Sequence, residues 1–219
     1  MEIYHTIYKG GNGEIVEKKS RFIAEVHPVT SEEEAMEILE QTRKQYWDAR
    51  HHCWAYIIGR NPAAERMSDD GEPAGTAGRP MLDVLLKEGI HNTAVVVTRY
   101  FGGVLLGTGG LVRAYQGAVQ KGLDAAVIIE KFEGQILLIT TDYTGLGKIQ
   151  YLLAQEKITI MDTSYADNVV IKAVIPEECR KDIENKIIEH TNAAALIEWK
   201  EKVTFAQHEK EVLIWENNL

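Results

Sequence analysis

Two cysteines, Cys53 and Cys179, are all that the 219 residues hold. They lie far apart, each without a second thiol close by, which excludes a disulfide framework and a zinc ribbon. Apolar runs such as Ala94–Val97 and Ile136–Ile139 fall far short of the roughly 20 residues that a membrane-spanning helix needs. Met1 to Gly10 is broken by Glu2, His5 and Lys9 and lacks the continuous apolar stretch of a secretory signal, so a cytoplasmic protein without a membrane partner is expected. Basic residues are in deficit, 24 Lys and Arg against 33 Asp and Glu for a net charge of -9. That balance argues against a protein that coats nucleic acid by bulk electrostatics, and nothing in the chain is specific for DNA. Repeats, low-complexity tracts and a Pro- or Ser-rich linker are missing as well. What remains is a globular chain, 45% hydrophobic, long enough for one large domain or two small ones.

Glu14 to Val26 is rich in strand formers and follows the turn-like run Gly10 to Gly13, so the chain is expected to open with a β-hairpin. Ser31 and Glu34 form a capping box, after which Ala35, Ile38, Leu39, Thr42 and Tyr46 share a helical face. His52 to Ile58 reads as a strand and Pro80 to Lys87 as a short helix with proline in its first turn. The loop between them, Gly59 to Arg79, is long enough to suggest function. Thr93 to Thr98 reads as a strand buried on both faces, and Leu111 to Ala126 as the helix packed on it. Past Lys131 the order is strand (Gln135 to Thr141), helix (Thr144 to Glu156), strand (Ile158 to Tyr165), strand (Asn168 to Ile175), helix (Glu177 to His190), strand (Leu196 to Phe205). This βαββαβ order predicts a ferredoxin-like domain. The fold class is therefore α+β, with one domain over 1–130 and a second over 131–219.

Gly102, Gly103, Gly107, Gly109 and Gly110 lead into the predicted helix, so the backbone there can approach a ligand and its amides point at an anion. Arg99 at the strand end, Thr108 in the loop and Arg113 in the first helical turn complete a candidate phosphate or nucleic-acid site. The alternative is that the glycines serve tight strand-to-helix packing. The spacing matches neither a Walker loop nor a dinucleotide fingerprint. Asp69, Asp70 and Glu72 concentrate carboxylates in a glycine-rich loop. They suit a cation such as Mg²⁺ or, as the alternative, the turns and caps in which acids are favoured. No metal ligand set and no cofactor is assigned. His51 and Cys53 fall on one side of their strand and His52 on the other. Cys53 with His51 reads either as nucleophile and base or as a small core residue beside a histidine. Cys179 falls on the apolar face of its helix and reads as core.

Several of these segments, SDDGEPAGTAGRPM (Ser68 to Met81), VVVTRYFGGVLLGTGGLVRAYQGAV (Val95 to Val119), KSRF (Lys19 to Phe22) and Ala49, His51, Cys53, Ala55 and Tyr56, resemble the signature of the YigZ/IMPACT family. The second half resembles the smaller ferredoxin-like domain of its bacterial YigZ-type members. The resemblance implies a first domain similar to domain two of a small-subunit ribosomal protein, a βαβ-type fold shared with elongation factor G and GHMP kinases. It also implies a role near translation, since eukaryotic IMPACT proteins compete for a partner of a stress-activated initiation-factor kinase. The partner-binding domain that those members carry at the N-terminus is missing here, and the PxxxGLxSS pattern of GHMP kinases is not present. Three functions follow as expectations: a translation-associated regulator binding RNA or a ribosome-linked factor, an enzyme acting on a phosphorylated small molecule, or an interaction module without a small ligand.

Overall fold

The computed structural model describes residues 4–60, 63–209 and 211–216. Met1 to Ile3, and Asn61 and Pro62 of the expected long loop, lie outside them. By internal contacts the chain falls into two units, one from Tyr4 to Ile129 and a second that takes in the chain from Glu130 on.

In the first unit the elements are β1 (Tyr4–Lys9), β2 (Gly11–Glu17), β3 (Ser20–Pro28), α1 (Glu32–Gln45), β4 (His51–Ile58), β5 (Ala64–Ser68), α2 (Gly78–Lys87), β6 (Ile90–His91), β7 (Thr93–Tyr100) and α3 (Thr108–Asp124). Five strands form an antiparallel sheet in the order β2-β3-β7-β4-β5, and β1 pairs in parallel with β6. Central β7 has its continuous apolar run because both faces are covered. Val95 and Val97 pack with Met81 of α2 and Tyr115 and Val119 of α3, while Ala94 packs with Ala35 of α1 and Tyr56 on the other side.

The hairpin forms, but its turn is elsewhere than expected. Gly11 and Gly13 are strand residues, and the chain reverses at Lys18 and Lys19, whose φ values of 45° and 67° are those of a two-residue hairpin turn. The glycines are there for a neighbour. A Cβ on Gly11 would lie 2.4 Å from the Ala126 nitrogen, and one on Gly13 would lie 2.4 Å from the Lys121 carbonyl carbon. Side-chain-free backbone lets the end of α3 lie directly on β2.

The capping box of α1 is displaced by one residue: Ser31 Oγ accepts from the Glu34 amide at 3.2 Å, but the Glu34 carboxylate accepts from the amide of Thr30 at 2.6 Å. The expected loop before α2 contains β5, which pairs with β4. Helix α3 starts three residues before Leu111, because the Leu111 amide already bonds to the Gly107 carbonyl at 3.0 Å.

The second unit follows βαββαβ with one added strand. It consists of β8 (Val127–Thr141, from Glu130 on), α4 (Tyr143–Gln155), β9 (Ile160–Tyr165), β10 (Val169–Pro176), α5 (Arg180–Thr191), β11 (Leu196–His208) and β12 (Glu211–Glu216). Strand order β9-β10-β8-β11, with antiparallel neighbours throughout, is the ferredoxin-like arrangement. Ile149 and Leu153 of α4 and Ile183 and Ile187 of α5 close one face against Leu137, Ile139 and Ile171.

Strand β11 runs on past the expected Phe205, and β12 turns back along it. Cys179 is half-buried and ends a short 3-10 turn, Glu177–Cys179, just ahead of α5. Among the described residues no helix is long and apolar enough to cross a membrane.

A core of its own for residues 131–219 leads to a proposal about folding. Expressed alone, Lys131 to Leu219 is expected to unfold in one cooperative urea transition. A fragment without a transition, already disordered in buffer, would refute the division.

Candidate functional site

The acidic loop is organised by its own carboxylates. Asp69 Oδ1 accepts from the amides of Ala77 at 2.9 Å and Gly78 at 2.8 Å, and Oδ2 accepts from Gly75 at 2.8 Å. Burial alone would raise the Asp69 pKa, but these three amides outweigh it and hold the carboxyl below the usual aspartate value. They also satisfy donors at the start of α2, which has no side-chain cap of its own. Asp70 turns the other way: Oδ1 accepts from Arg43 Nη2 at 3.0 Å and Oδ2 from the His52 amide at 2.7 Å.

Glu72 points inward, 8% exposed. Its Oε1 accepts from Arg99 Nη1 at 2.6 Å and from the Tyr115 hydroxyl at 2.7 Å. The three acids thus serve three different sets of partners. Among the described residues no group of three or more His, Cys, Asp or Glu is placed to hold a metal ion.

Around Glu72 lies a buried polar chain. The Cys53 thiol is 3.3 Å from the Tyr115 hydroxyl and 3.0 Å from the Asp69 carbonyl. Burial pushes both the thiol and the Tyr115 phenol far up, so both stay protonated at neutral pH. His51 does not reach Cys53 as a base. Its Nδ1 lies 2.9 Å from the Asp70 carbonyl oxygen and therefore donates, leaving Nε2 as the remaining polar atom of the ring. The core reading of Cys53 is the one this geometry favours.

Of the glycine and arginine set, the structure brings some members together and separates others. Arg99 is 6% exposed, its charge taken up by Glu72 and its guanidinium set over the Phe22 and Phe101 rings at 5.3 and 5.6 Å. Arg113 is exposed on α3 with Nη1 beside Gly109, and the two arginines share no partner. Gly102 is a packing glycine, since a Cβ there would lie 2.1 Å from the Lys19 carbonyl carbon. Gly103 and Gly107 have open surroundings and φ of 82° and 72°. Gly107 precedes α3, whose first turn has no side-chain cap and no acid, so the amides of Thr108, Gly109 and Gly110 have no capping partner.

The contact at Gly102 sets the exposed lysines of the β2–β3 turn, Lys18 and Lys19, against this loop. Spacing gave no hint of them, because the β3–β7 register, Arg21 opposite Tyr100, brings them there. Of the aromatics that could stack on bases, Tyr115 is fully buried and the Tyr100 hydroxyl donates to Asp48 at 2.7 Å. Beside the end of β7 opens a cleft of about 400 Å³ lined by Arg50, His51, Arg99, Tyr100, Phe101 and Leu105, with Asp48 and Ala49.

An antiparallel sheet flanked by helices and a separate ferredoxin-like unit define a two-unit α+β protein. Residues 18–123 match the Impact N-terminal domain and residues 139–194 a domain of unknown function, DUF1949. The IMPACT family member YvyE of Bacillus subtilis is 41% identical over 192 residues, 88% of each chain. The IMPACT family member YigZ of Escherichia coli is 40% identical over 161 residues, 73% of this chain and 79% of that one. A crystal structure of a hypothetical protein overlays with a TM-score of 0.58 at 33% identity, covering 92% of this chain and 98% of the other. The chain belongs to the IMPACT family.

Proposed function

We propose that the protein is a translation-associated regulator that acts by binding, and that its binding surface is the start of α3 with Arg113 and the β2–β3 turn. Family membership supports the link to translation. The observation that carries the surface is the bare N-terminus of a 17-residue helix, with exposed Arg113 on that helix and exposed Lys18 and Lys19 in the turn set against Gly102. Amides and helix dipole favour negative charge there.

Arg99, tied to Glu72, belongs to the support of this surface and not to its contacts. RNA is the ligand whose chemistry fits; a ribosome-linked protein factor is the other outcome of the test. With a chain of net charge -9, binding relies on this small patch and is weak at moderate salt. Three phosphate contacts on a single strand give a slope of about -2 in log K against log salt, and Arg113→Ala is expected to flatten it by about 0.7. A salt titration of single-stranded RNA affinity for both chains measures this. Equal slopes and equal affinities would remove RNA from this surface.

A further inference from the structure

The cleft beside the end of β7 is built from other residues than the surface above. Arg50 is exposed and makes no ion pair with any described residue. Arg99 reaches the cleft wall almost wholly buried. It gives Nη1 to Glu72, while its Nε has no hydrogen-bond partner. A buried guanidinium donor without an acceptor is costly in a native structure and marks a place where an anionic group would complete the bonding. His51, whose Nδ1 donates to the Asp70 carbonyl, presents Nε2 as an acceptor for a ligand hydroxyl or amino group. Two guanidinium groups lining one cleft suit a phosphate better than a single carboxylate.

The rest of the cleft is of another character. Phe101 is 53% and Leu105 82% exposed, an unusual placement for such side chains beside a charged wall. Phe101 is held there by the cation–π contact with Arg99, at 5.6 Å. Asp48 accepts from the Tyr100 hydroxyl and keeps acceptor capacity for the hydroxyl or amino groups of a ligand. A volume of about 400 Å³ lies within the range of about 300–1,000 Å³ typical of small-molecule sites and exceeds the needs of inorganic phosphate.

We propose that this cleft binds a nucleoside monophosphate, with the phosphate between Arg50 and Arg99 and the base against Phe101 and Leu105. The proposal rests on the cleft alone and stands or falls separately from the surface at α3.

Calorimetric titration of the full chain with AMP and with inorganic phosphate tests it. AMP is expected to bind saturably and at least about tenfold more tightly than phosphate, and Arg50→Ala to weaken AMP by about tenfold. Arg50 is exposed, so its loss is expected to leave the fold intact, which the urea midpoint checks. Phe101→Ala should reduce the preference for AMP over phosphate, and Arg113→Ala should leave AMP binding as in the wild type. No heat at millimolar AMP, or full affinity in Arg50→Ala, would overturn the site; equal affinity for AMP and phosphate would overturn the nucleoside assignment. Loss of AMP binding in Arg50→Ala with an unchanged RNA salt slope separates the cleft from the α3 surface.

Discussion

Replacing Arg99 by methionine is expected to cost the first unit about 3–5 kcal/mol of stability, the range found when one partner of a buried ion pair is removed. The side chains of Arg99 and Glu72 are 7% and 3% exposed, so solvent screens the pair little. Methionine keeps much of the apolar stem that packs over Phe22 and Phe101, and the loss falls on charge. Glu72 would remain in the core with only the Tyr115 hydroxyl for a donor. The double variant Arg99→Met, Glu72→Leu, free of both charges, is expected to lose less than the single one. Urea unfolding of the three chains checks this. A single variant that costs under about 1 kcal/mol, the scale of a surface pair, would mean that the pair is solvated.

Gly13→Ala is expected to cost the first unit about 3 kcal/mol, the upper part of the range for overpacking. Its new Cβ would meet the Lys121 carbonyl carbon at 2.4 Å and the Gly122 nitrogen at 2.5 Å. Backbone atoms of a helix in the core of the unit cannot swing aside as a flexible side chain does. Gly147→Ala in α4 is the control, because a Cβ there meets nothing within 4 Å. That change should stabilise by about 0.5–1 kcal/mol through helix propensity and reduced unfolded-state entropy. Opposite signs at the two positions, read from urea midpoints, are the expected result; a neutral Gly13→Ala would mean that α3 does not lie on β2 as described.

Much of the fold could be read from local pattern. Helical periodicity, with a first-turn proline for α2, points to the five α-helices of the described residues, and the βαββαβ order of the second half leads to strand order β9-β10-β8-β11 with few alternatives. Harder to read were features set by distant partners. Gly10 to Gly13 looks like a turn in one dimension, and only the backbone at the end of α3, more than a hundred residues on, explains why Gly11 and Gly13 are strand residues. Tyr115, an aromatic in an amphipathic helix, gives no sign that it faces Glu72 rather than solvent.

Arg99 and Arg113 flank the same glycines in sequence, but a strand residue and a helix residue on either side of a loop answer to different neighbours. Arg99 is claimed by an acid 27 positions earlier. The composition of the candidate loop was thus legible, while the division of its residues into support, contact and cleft was not.

Cys53 gives the first unit a clock. Its sulfur is fully buried and held protonated, so an alkylating reagent can reach it only when the unit opens, because the thiolate is the reacting form. Cys179, half-buried, reacts on its own schedule in the second unit. In a chain with one thiol per unit, the mass gained with time under a slow alkylator reads the opening of each unit separately, with no label added and no residue replaced.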